Sequence, residues 1–139
     1  MAKSKKTSKK DYTYTSGRRK SSSARVRLFK GNKESTVNDI VIGKYFPGEV
    51  LRKLWQKPFG LTQTSGKYYI TVKVIGGGKK GQLDAVIHAT AKAFSALDPK
   101  KYRTILKSEG LLKRDARVRE RRMIGTGGKS RHQKQSPKR

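Results

Sequence analysis

Apolar and polar positions alternate in two rhythms between Tyr12 and Leu112, and apolar residues are sparse outside that stretch. Tyr12 and Tyr14 alternate with Thr13 and Thr15, a short strand that Gly17 is expected to break. From Ala24 the period is two: Ala24, Val26 and Leu28 share one face, with Arg25 and Arg27 on the other, up to a turn at Gly31-Asn32. Thr36–Ile42 reads as two short extended pieces around a turn at Asn38-Asp39. Tyr45-Phe46-Pro47-Gly48-Glu49 opens a first helix with Pro47 in its first turn. Val50, Leu51, Leu54 and Trp55 form its apolar stripe, and Pro58 and Gly60 end it. Tyr68, Ile70, Val72 and Val74 then alternate with Tyr69, Thr71 and Lys73 until Gly76-Gly77-Gly78.

Residues 82–97 have the clearest helical period. Leu83, Val86, Ile87, Phe94 and Leu97 share a face, and Ala85, Ala89 and Ala91 allow close approach to a sheet. Asp98-Pro99 supplies an N-cap and a first helical residue for another helix. Tyr102, Ile105 and Leu106 face inward there, and Gly110 is its cap. This succession predicts an α+β fold, a small mixed sheet covered by helices. The expected organisation is a basic N-terminal arm over 1–11, a globular body over 12–110 and an extended basic C-terminal tail over 111–139.

Charge changes the picture most. Thirty-six Lys and Arg oppose nine Asp and Glu, a net of +27 on 139 residues. Solubility alone asks for a net charge of only about 2–8 in a small domain. The excess sits at the ends, +10 over residues 1–30 and +12 over 100–139, against +5 between them. Charge so distributed repels itself and points to a polyanion partner, with nucleic acid as the first candidate because phosphate neutralisation releases counterions. The arms are too polar to form a core and are expected to order only on that partner. With no Cys, disulfides and Cys-based zinc sites are excluded. No apolar run spans a bilayer, neither arm makes a good amphipathic helix, and no secretory signal is expected.

Three constellations carry candidate chemistry. Gly76-Gly77-Gly78-Lys79-Lys80-Gly81 fits the glycine pattern of a dinucleotide site, but Asp98 caps a helix where that fingerprint needs an acid at the end of a second parallel strand. A tight turn, or a phosphate site of backbone N–H groups beside Lys79 and Lys80, fits the charge better. In Gly17-Arg18-Arg19-Lys20-Ser21-Ser22-Ser23, three cations and three hydroxyls can wrap a phosphate chain, and Arg25 follows them. Lys113–Arg122 places Arg114, Arg117 and Arg121 on one face if helical, or Arg117, Arg119 and Arg121 if extended, with Arg122 beside them. Gly125-Thr126-Gly127-Gly128 reads as a hinge before Lys129, Arg131 and Lys134. His88 has no carboxylate or nucleophile partner in sequence and reads as a partly buried structural or RNA-facing residue. The tyrosines Tyr12, Tyr14, Tyr68 and Tyr69 read as packing residues that could also stack bases. No catalysis, cofactor or metal is expected.

Taken in order, these motifs resemble the ninth small-subunit ribosomal protein family, most closely its bacterial and organellar branch. The resemblance rests on Gly17-Arg18-Arg19-Lys20 with Ala24-Arg25-Val26, and on Tyr45-Phe46-Pro47. It continues in Gly76-Gly77-Gly78-x-x-Gly81-Gln82-x-x-Ala85-x-x-His88 and in Leu112-x-Arg114-Asp115-Ala116-Arg117-Val118-x-Glu120-Arg121. It implies a domain like the second domain of ribosomal protein five, in the head of the small subunit on cytoplasmic or organellar ribosomes. The implied partners are small-subunit rRNA, neighbouring head proteins and P-site tRNA, reached by a tail whose last residues, Lys138 and Arg139, meet tRNA phosphate. The tail departs from the family pattern: Gly125–Gly128 and Ser130–Gln133 replace a denser basic run, Pro137 is inserted, and the usual aromatic is missing. Its last 16 residues still reach on the order of 50 Å when extended. Two other readings remain: a free nucleic-acid chaperone, and a dinucleotide enzyme using Gly76–Gly81.

Overall fold

The computed structural model describes residues 11–128. The N-terminal arm before Asp11, and Lys129, Arg131, Lys134, Lys138 and Arg139 of the tail, lie outside the described residues. The chain runs β1 (Tyr12–Arg19), β2 (Ser22–Lys30), β3 (Thr36–Val37), β4 (Ile40–Val41), α1 (Ile42–Tyr45), α2 (Glu49–Leu61), β5 (Tyr68–Ile75), α3 (Lys79–Leu97) and α4 (Pro99–Ser108). The strands form one mixed sheet in the order β1-β2-β5-β3-β4, antiparallel except where β3 runs parallel to β5. The α+β expectation holds.

The sheet's inner face packs on α3. Ala24, Val26 and Leu28 of β2 and Ile70, Val72 and Val74 of β5 are buried there, with Leu83, Ala85, Val86, Ala89 and Phe94 of α3 against them. Phe94 is the hub: its ring meets those of Phe59, Tyr68 and Tyr102 edge-on, at 5.3, 6.0 and 5.9 Å between centroids, and so ties α2, β5 and α4 to α3. Burying such a ring contributes roughly 1.5–3 kcal/mol. Asn38, at φ 48°, extends the short β3 edge with its side chain. Its amide donates to Val74 O at 3.0 Å and accepts from Val74 N at 2.9 Å.

Several expectations need correction. Gly17 does not break β1; it is buried mid-strand, because α3 crosses there at a distance no side chain allows. A Cβ at Gly17 would collide with Ala85 O and lie 2.7 Å from Ala89 N. Pro47 precedes the helix instead of opening it: α2 starts at Glu49 after Gly48, whose φ of 103° needs glycine. Pro58 sits inside α2 and Gly60 does not stop it; the helix runs to Leu61. The inward stripe of α2 is Leu51, Trp55, Pro58 and Phe59, while Val50 and Leu54 face solvent. Leu97 and Ile105 are also exposed. Helix α3 starts at Lys79, not 82.

The end of α4 follows the sequence. Asp98 caps it by accepting from Lys101 N, and Gly110 (φ 70°) closes it, with Gly110 N on Lys107 O and Leu111 N on Leu106 O. This Schellman pattern turns Leu111 and Leu112 back onto the core, so packing continues two residues past the expected boundary at 110.

Gly17→Ala is expected to cost about 1–3 kcal/mol through overpacking, read as a loss of several degrees in Tm by circular dichroism. Ser16→Ala, one residue away on the exposed face, should stay within about 0.5 kcal/mol.

Candidate nucleic-acid interface

The two-residue turn Lys20-Ser21 closes the β1–β2 hairpin, with Lys20 at φ 53°. Its tip packs on the glycine turn that feeds α3. Ser22 Oγ donates to Gly76 O at 3.1 Å, and a Cβ at Gly76 would stand 2.6 Å from Ser21 O. Gly76 and Gly77 take φ of 78° and 64°, so the turn needs glycine both for its backbone and for this approach. Gln82 holds the turn from the helix side: its amide donates to Gly76 O at 3.0 Å and accepts from Tyr45 Oη at 2.8 Å. Gly78 caps α3 with no side chain of its own, and Lys79 Nζ stands 3.4 Å from the Tyr45 ring centroid, a cation–π contact that fixes where the ammonium sits.

Arg19 joins this turn to the tail. By strand parity it lies on the inner face with Gly17, and its side chain is only 13% exposed. Its Nη1 donates to Arg117 O at 2.6 Å, its Nη2 lies 3.3 Å from Asp115 Oδ2, and its Nε lies 3.7 Å from Asp84 Oδ2 on α3. Asp115 also accepts from Arg117 backbone N (3.1 Å), Nε (3.0 Å) and Nη2 (2.8 Å). These Arg117 hydrogen bonds, with the Arg19 charge a smaller influence, hold the Asp115 carboxyl well below the usual carboxylate range. The same pairing raises Arg117 above the ordinary guanidinium value.

His88 makes the next anchor. Its Nε2 lies 3.3 Å from Leu112 O and donates to it, which leaves Nδ1 buried and without a partner among the described residues. Burial, then the Lys92 and Arg114 charges, push its pKa down, while the Leu112 carbonyl opposes them in part.

The hairpin tip, the start of α3 and the first residues of the tail therefore meet at one end of the sheet. Arg18, Arg19, Lys113 and Asp115 line one small cleft with Asp84, His88 and Leu111. Arg18, Lys20, Lys79, Lys80, Arg114 and Arg117 are exposed around it. Arg25 is exposed on the sheet's outer face, away from this junction. From Arg114 to Met123 the tail is neither helix nor strand, so Arg119, Arg121 and Arg122 follow an irregular path, and Gly125–Gly128 forms turns. From sequence alone Arg19 groups with the phosphate ligands, Asp84 draws no attention, and Asp115 reads as part of its own basic segment and not as a partner of Arg19. Strand parity, and the scarcity of acids in a strongly basic chain, were the signals that could have found them.

The dinucleotide reading fails on topology. Helix α3 leads to α4, with Asp98 capping it, and not to a second parallel strand; β2, on one side of β5, is antiparallel. A groove of about 820 Å³ lies elsewhere, along α2, and carries two bases (Lys33, Arg52) and two acids (Glu34, Glu49).

A helix-backed sheet that gathers basic segments at one end defines a small α+β protein of the kind that meets a polyanion. The sequence matches the family described as Ribosomal protein S9/S16 over residues 17–139. It is 45% identical over 119 residues to the small ribosomal subunit protein uS9 of Maridesulfovibrio salexigens, spanning 86% of this chain and 91% of that protein. Against uS9 of Solidesulfovibrio magneticus the identity is 42% over 118 residues, spanning 85% and 90%. With nearly the whole of each relative covered, the chain belongs to the ribosomal protein S9 family, whose members are structural, non-enzymatic ribosomal proteins.

Because its folded pKa is lowered, neutral His88 contributes stability that is present above the ordinary value of 6.5 and lost as pH falls through the lowered value. Tm should fall from pH 7 to pH 5, and less steeply in His88→Gln. An NMR titration of His88 should give a midpoint below 6.5; a midpoint at or above it contradicts the buried contact.

Proposed function

We propose that the protein is a structural constituent of the small ribosomal subunit head, bound to rRNA, with its C-terminal tail directed toward P-site tRNA. The observation that carries this reading, beside family membership, is the junction at Arg19. It holds the hairpin tip, the α3 start and the tail's first residues together as one cationic surface. Arg18, Lys20, Lys79, Lys80, Arg114, Arg117, Arg119, Arg121 and Arg122 take rRNA phosphates, and Arg25 does so from the sheet. Such contacts fix position and carry no sequence information. Arg19 acts differently: its largely covered, paired guanidinium positions the others.

Beyond Gly128 the tail composition is basic and almost without apolar residues. Lys129, Arg131 and Lys134 continue along rRNA, and Lys138 and Arg139 meet tRNA phosphate. The working place is the ribosome in the cytoplasm, and the partners are rRNA, neighbouring head proteins and P-site tRNA. Co-sedimentation with small subunits in high salt separates this reading from a free nucleic-acid chaperone, which would wash off.

Deleting residues 129–139 should weaken retention of P-site tRNA several-fold on purified ribosomes and leave incorporation into subunits largely intact. Lost incorporation with unchanged tRNA retention contradicts the assignment of the tail.

A further inference from the structure

The sheet has a second face that no helix among the described residues covers. Helices pack on the side of Ala24, Val26 and Val72. Cross-strand register places Tyr12, Phe29 and Tyr69 in one row of the opposite face, Tyr14, Arg27 and Thr71 in the next, then Ser16, Arg25 and Lys73, and finally Arg18, Ser23 and Ile75. Arg18, Arg25, Arg27 and Lys73 are all exposed. Among the described residues, Asp39 pairs with one of these cations, 3.9 Å from Lys73, with both side chains mostly in solvent, so it screens little.

One pairing is costly for the isolated protein. Arg25 and Lys73 are direct cross-strand partners, and like charges in that position are destabilising. A sheet that keeps this pair with four cations on an open face is better satisfied with a polyanion against it. The chain's own N-terminal arm cannot serve, since residues 1–10 carry five lysines and no acid.

The aromatic row decides what kind of contact is made. The Phe29 and Tyr69 rings lie stacked at 5.2 Å and 11°, and Tyr12 leans on Phe29 at 5.3 Å while Arg27 lies 5.4 Å over Tyr12. Phe29 is engaged by both tyrosines and Tyr12 by Arg27, so these rings are largely committed to one another. The cations beside it read phosphate.

We propose that the uncovered sheet face is a second RNA-docking surface, where Arg25, Arg27 and Lys73 take the phosphates of a ribose-phosphate backbone, the Tyr12–Phe29–Tyr69 row closes one end and Arg18 marks the edge shared with the junction. This rests on the ribosomal reading above and extends it: the protein lies between two RNA segments, one at the Arg19 junction and one across the sheet.

The test compares the full chain with an Arg27→Thr, Lys73→Thr variant, using deproteinised small-subunit rRNA as probe. The slope of log K against log salt should fall by about 1–2, the loss of two phosphate contacts. The Tm without RNA should stay level or rise, because the Arg25–Lys73 repulsion is gone. Binding by the wild type with no change of slope in the variant overturns the inference and leaves the ribosomal reading standing. A fall in Tm with an unchanged slope assigns these residues to the fold and overturns it too. Thr71→Cys, in a chain with no other Cys, carrying a thiol-linked photoreactive group, should crosslink to rRNA in assembled subunits, and crosslinking to a protein alone overturns the proposal. Failure of the wild type to bind rRNA at all would defeat the ribosomal reading itself.

Discussion

The guanidinium of Arg19 is where this strongly basic chain becomes one surface. It donates a hydrogen bond to a carbonyl of the tail and forms ion pairs with a carboxylate of the tail and a carboxylate of α3. Two of the nine acidic residues are committed to it. Without such a joint, the hairpin tip and the tail would carry like charges with nothing to hold them together. The Arg19 hydrogen bond to the tail is charge-assisted, which makes it stronger than one between neutral groups.

The joint depends on packing further back. Arg19 reaches Asp84 only because Gly17 lets β1 lie against α3, with Thr15 Oγ1 on Ala89 O at 2.7 Å and Lys92 Nζ on Ser16 O at 2.8 Å to fix the crossing. The tail reaches Arg19 only because Gly110 reverses the chain after α4 and His88 holds Leu112. A glycine in a strand, a glycine after a helix and a half-buried histidine thus set where exposed cations point. That is how a structural ribosomal protein works: its chemistry is placement, and its binding groups act through the rigidity of what stands behind them.

Much of this was legible in the sequence, for identifiable reasons. The period-two runs at Ala24–Leu28 and Tyr68–Val74 and the cap signals at Asp98-Pro99 and Gly110 are local, and they hold in the structure. What failed was non-local. Gly17 looks like a strand breaker until α3 is seen against it, and Val50 and Leu54 look like core until the direction of α2 is known. Charge told that a polyanion was the partner and nothing about which cations face it. Arg18, Arg19 and Lys20 are three equivalent cations in sequence, but strand parity turns Arg19 inward and leaves its neighbours outside.

That difference gives the most direct measurement. Arg19→Met and Lys20→Met each remove one positive charge from adjacent positions. If Arg19 organises the surface, Arg19→Met speeds amide hydrogen exchange over residues 112–118 and weakens binding to small-subunit rRNA clearly more than Lys20→Met does. Equal losses of affinity, with exchange in that segment unchanged, would show that Arg19 contributes only its charge and that the joint organises nothing.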